Sequence, residues 1–178
     1  DALPIFRAVG YARLLPLPDY VFSPTMYSKT EITQLRQAFW TTFGQYMQPV
    51  PSADGGTVNW INYKTGLKHV SFRLHADNHH ASIGIEITHP DASLQELFFA
   101  QFRELRPLLA EATGEAWIWE PAAFSENGRP LARIYQELRP ANLFDREQWP
   151  RLISFLKPRL IALDTFWSTG QYAFDELR

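Results

Sequence analysis

The chain has 178 residues, 46% apolar and 20% charged, which is enough apolar material for one domain-sized core. A formal charge of −2, with Lys and Arg dispersed among acids, argues against strong nonspecific nucleic-acid binding, which needs a clustered basic surface, and leaves room for a local basic patch. The absence of Cys excludes disulfides, thiolate metal sites and a Cys nucleophile, and no apolar run approaches the ~20 residues of a membrane span.

Asp1–Thr25 carries Pro4, Pro16, Pro18 and Pro24 without a sustained period, and is expected to be a poorly ordered leader outside the domain. Its first residues lack a basic start followed by a continuous apolar stretch, so cytoplasmic residence is expected. The domain is expected to span residues 26–178. Ser28 followed by Glu31 forms a capping box, and Ile32, Leu35, Phe39, Phe43 and Tyr46 give one apolar stripe, predicting a helix over Lys29–Met47. Pro49 and Pro51 stop it, and Asp54-Gly55-Gly56 turns the chain toward three short strands.

Those strands, Thr57–Tyr63, Leu67–His75 and Ala81–His89, read as an antiparallel meander with Thr65-Gly66 and Asp77-Asn78 at the turns. In the last two, Val70, Phe72, Leu74 and Ile83, Ile85, Ile87 alternate with His69, Ser71, Arg73, His75 and Ser82, Glu86, Thr88. A period of two assigns the first set to a core and the second to a polar sheet face.

Ser93 and Glu96 form a second capping box for a helix reaching Thr113, with Leu94, Leu97, Phe98, Phe102, Leu105, Leu108 and Leu109 inward. Pro107 is expected to kink or end it, and Gly114 to close it. Trp117–Phe124 and Leu131–Leu138 form a hairpin across Asn127-Gly128. Asp145 starts the last helix, which is apolar around much of its girth and predicted to bend at Pro158. Such a helix is either deeply buried or lies in an interface between copies, so a homo-oligomer through it is one expected partner arrangement. The order α-β-β-β-α-β-β-α implies an α+β class, with a five-stranded, largely antiparallel sheet and helices on one face.

The polar face is the expected contact surface. With the turn centred on Asp77-Asn78, His69 faces Glu86, and His69, Arg73 and Glu86 are the candidate ligand-binding residues. His75, Asp77, His79 and His80 are the densest group of possible metal ligands, but the adjacent His79 and His80 should point to opposite faces, so a solvated turn without metal is expected. A metal-dependent nuclease would need an acid-x-Lys motif where Glu86-Ile87-Thr88 stands; Glu86 with Asp77 or the nearby His residues is the alternative, enzymatic reading. Trp60, Trp117 and Trp119 could stack on bases or a peptide, but core burial accounts for them as well. There is no Gly-rich phosphate loop, and no cofactor is implied.

The segments Phe39–Met47, Asn59–Gly66, Ala81–Ile87 and Trp149–Trp167 resemble an uncharacterised bacterial family, domain of unknown function 4268, over Met26 to Arg178. The resemblance carries no catalytic residues. Related domains that follow nuclease-like regions in longer proteins imply an accessory or recognition role near nucleic acid, by association alone. The resulting expectation is a non-enzymatic binding or interaction module.

Overall fold

A computed structural model describes residues 27–178; the expected leader over residues 1–25 lies outside them. Four α-helices and one four-stranded antiparallel sheet are found among the described residues. They are α1 (Lys29–Met47), β1 (Val70–Ala76), β2 (Ala81–Ile87), α2 (Ala92–Glu104), α3 (Arg106–Thr113), β3 (Ile118–Phe124), β4 (Pro130–Leu138) and α4 (Trp149–Gly170). The sheet order is β1-β2-β4-β3.

The α+β class holds, with four strands where five were expected. Thr57–Tyr63 is irregular because local and helix contacts satisfy polar groups that a ladder would otherwise use. Asn59 Oδ1 accepts the Asn62 N–H at 3.0 Å, and the Trp60 indole donates to the Val50 carbonyl at 3.0 Å. Asp164 and Trp167 of α4 then bind the flanking chain at Ala53, Tyr63 and Thr65. Two Asn residues in this stretch were a turn signal that the apolar residues around them masked.

The Ser28–Glu31 capping box forms with both reciprocal hydrogen bonds, and α1 buries Phe39, Phe43 and Met47. The second capping box does not form. Asp91 caps α2 instead, accepting the N–H groups of Ser93 and Leu94, and Phe98, Phe99 and Phe102 face the core while Leu94 and Leu97 stay exposed. The helix expected to run to Thr113 breaks at Leu105, where Pro107, which cannot donate a backbone hydrogen bond, occupies the first turn of α3. Asp145 caps a short 3-10 turn that leads into α4, and α4 runs through Pro158.

The core lies between the helices and one face of the sheet. Val70 and Phe72, Ile83, Ile85 and Ile87, and Ala132 and Ile134 are buried with Phe98, Phe102, Leu156, Leu160 and Trp167. Eleven residues of α4 are buried within the chain itself, which is enough to explain its apolar girth. No helix among the described residues is long and apolar enough to cross a membrane.

Candidate functional site

The face of the sheet opposite the core is organised by register into three rungs. Ser71, Glu86, Arg133 and Glu120 form one; Arg73, Gly84, Tyr135 and Ile118 the next; His75, Ser82 and Glu137 the third. A concavity of about 540 Å³ opens on this face, lined among others by Arg73, Asp77, Glu86, Phe124, Arg133 and Tyr135. An irregularity in β3–β4 pairing between Glu120 and Ala123 precedes Phe124, which is 73% exposed where it lines the concavity.

Gly84 makes the floor possible. A Cβ at this position would stand 2.6 Å from Tyr135 Cβ and 2.7 Å from the Ile134 carbonyl oxygen, so no side chain fits beneath Tyr135. Arg133 Nε donates to Glu120 Oε2 at 2.5 Å, and its guanidinium lies 4.2 Å from the Tyr135 ring centroid. Burial alone would lower the Arg133 pKa, but the hydrogen bond and charge of Glu120 outweigh it and hold the cation. Arg73 Nε donates to Glu86 Oε2 at 3.3 Å. With its side chain 62% exposed, the other Arg73 donors have no protein acceptor among the described residues.

His75, Asp77 and His80 converge at the end of the same face. His75 Nε2 lies 3.0 Å and His80 Nδ1 3.3 Å from Asp77 Oδ2, while Asp77 Oδ1 accepts the N–H groups of His79 and His80 at 2.7 and 2.8 Å. Burial would raise the Asp77 pKa; the His75 hydrogen bond, the two backbone donors and the His80 charge outweigh it and hold the carboxyl well below its ordinary range. Burial pushes His80 the other way, toward its neutral form, against the pull of Asp77. The expected solvated turn is thus a cluster of half-buried side chains, because the strand end and the turn aim His75 and His80 at one carboxylate.

The structure brings Arg73 and Glu86 together and leaves His69 apart. His69 precedes β1 with φ +65°, and its ring packs edge-on against His89 at 4.7 Å. The hairpin pairs Ala76 with Ala81, so its loop is centred one residue later than Asp77-Asn78 and every cross-strand partner moves by two; Glu86 faces Ser71, not His69. Asp77 and Glu86 stand toward opposite ends of this hairpin, six residues of strand or roughly 20 Å apart along it, too far to share a metal. Trp60 and Trp117 are core residues, and Trp119 is partly buried against Phe99. Arg133 and Tyr135 were missed as site residues, although alternation along Leu131–Leu138 already placed both on one face.

The family model for Domain of unknown function (DUF4268) matches residues 35–171. The chain belongs to this family. The match takes in both strands of the β1–β2 hairpin, the β3–β4 hairpin and therefore all residues of the open face of this DUF4268 domain. Comparison with curated proteins and with solved structures returns no match.

Proposed function

We propose that the DUF4268 domain is a non-enzymatic binding module that takes a small polar ligand of mixed charge on the open face of its sheet. One observation carries this reading: helices cover one face of the sheet, while the other holds a concavity of about 540 Å³ lined by both signs of charge. That volume lies in the range of small-molecule sites, ~300–1,000 Å³. Arg73 supplies the uncommitted donors and suits a ligand carboxylate, Glu86 and Glu126 suit an ammonium group, and exposed Phe124 suits an apolar part. Arg73 and Arg133 share the face with Asp77, Glu86 and Glu126, a balance that favours a zwitterion over a polyphosphate backbone. The separation of Asp77 from Glu86 supports binding over a metal-dependent nuclease.

A thermal-shift screen of the full chain against amino acids and dipeptides, with a single-stranded oligonucleotide as contrast, tests the proposal. At least one zwitterion should raise Tm in the native protein and fail to do so in Arg73→Ala, whose unliganded Tm should stay within about 4 °C because its exposed ion pair is worth ~0–1 kcal/mol. Stabilisation by the oligonucleotide alone, or equal stabilisation of both proteins, would contradict it.

A further inference from the structure

We propose that His75, Asp77 and His80 form a binding site for one divalent transition-metal ion of the zinc type, at the end of the open sheet face. The inference goes beyond the ligand-binding reading above and does not depend on it. The three ligand atoms lie within 4.8 Å of one another, and two of the three separations, 3.0 and 3.3 Å, meet at a single oxygen, Asp77 Oδ2. A tetrahedral ion held at about 2.0–2.1 Å by nitrogen and oxygen requires donor atoms ~3.3 Å apart, so two edges of the polyhedron are already in place. The third separation, no more than 4.8 Å, has to shorten when an ion is bound. Two imidazoles and one carboxylate are a donor set that takes zinc or ferrous iron and leaves positions for solvent.

The backbone holds these ligands in position. Asp77 Oδ1 is committed to the His79 and His80 N–H groups, which leaves Oδ2 for the ion. The turn closes through Asp77 N–H to the His80 carbonyl at 3.0 Å, and is tied to the chain after β4 by Leu143 N–H to the Asp77 carbonyl and Ala141 N–H to the His79 carbonyl. His75 pairs with Ser82 one residue before the end of β1 and His80 immediately precedes β2, so one ring stands on sheet backbone and the other directly beside it. Arg139, the cation that bears on His80, is engaged by Glu137 at 3.0 Å. All three ligands line the concavity, so the solvent positions of the ion open into it.

The test uses the full chain, stripped of metal with a chelator, titrated with zinc chloride by calorimetry and with cobalt(II) by visible absorption. One equivalent of zinc should bind at micromolar concentration or below, and cobalt(II) should show d–d bands of a nitrogen- and oxygen-ligated ion. Asp77→Asn, which keeps an oxygen for the turn, and His80→Gln should each weaken zinc by more than about 100-fold, beyond the loss expected for an outer-shell partner. His69→Ala, which dismantles the other histidine pair, should leave zinc affinity unchanged. The proposal is overturned by no zinc uptake at about 100 μM, a concentration that would register even a weak site. It is equally overturned by uptake that survives Asp77→Asn and His80→Gln, or that disappears with His69→Ala. Should either ligand variant misfold by circular dichroism, the native protein decides: absence of cobalt(II) d–d bands overturns the site.

Discussion

Asp164 places a carboxylate, 4% exposed, among the apolar residues of α4. An ion there is tolerated only when its oxygens are hydrogen-bonded. Oδ2 accepts the Ala53 N–H and Oδ1 accepts the Tyr63 hydroxyl, each at 2.6 Å. Burial, reinforced by the hydrogen bond to Asp164 and by its charge, pushes the Tyr63 pKa well above the ordinary tyrosine value. A group whose pKa is raised on folding contributes fully below its unfolded pKa, near 10, and that contribution is lost as pH rises toward the folded value. Urea unfolding between pH 8 and pH 11 should therefore show a Tyr63 contribution that is constant to about pH 10 and declines above it. Tyr63→Phe strands Asp164 Oδ1 and should cost about 1–3 kcal/mol at pH 8, with a shallower alkaline decline than the native protein. Equal stability at pH 8, or an unchanged alkaline slope, would show that the phenol does not hold this loop to α4.

Among the elements, those with a strong period or an explicit cap were legible in the sequence. The α1 start follows from Ser28 and Glu31, and the strand beginning at Ala81 from its alternation, although it ends at Ile87 rather than at the expected His89. The failures have local causes. In Thr57–Tyr63, Asn59 made a side-chain turn that broke the strand, and at Asp91 a better-placed cap displaced Ser93. The register error at His69 came from a loop centre one residue off, which no periodicity reveals because alternation along each strand is unchanged. Gly84 was equally silent in the sequence, since its role depends on the chain across from it. Gly84→Ala should drive β2 away from β4 at Tyr135 and cost about 1–3 kcal/mol in chemical denaturation, the range of an overpacked core position. A loss under about 0.5 kcal/mol would show that the two strands separate freely there.

At the scale of the molecule, the sheet divides the protein into a sealed side and an open side. The polar face was legible as a surface with Arg73 and Glu86 both on it, because alternation alone assigns faces, but their ion pair was not, since a turn centred on Asp77-Asn78 sets His69 opposite Glu86. Its concavity was not, because that depends on Arg133, Tyr135 and Phe124 arriving from the second hairpin. A second hollow of about 370 Å³, lined by Arg106, Leu109, Glu115, Trp117 and Trp119, lies beside α3 and provides an internal competitor for any ligand. Amide chemical shifts of the ¹⁵N-labelled full chain, titrated with the zwitterion that gives the largest thermal shift, test the central claim most directly. The largest changes should fall at Arg73, Gly84, Glu86 and Tyr135. Changes centred on Arg106–Trp119, or none at saturating ligand, would contradict a binding site on the open face of the sheet.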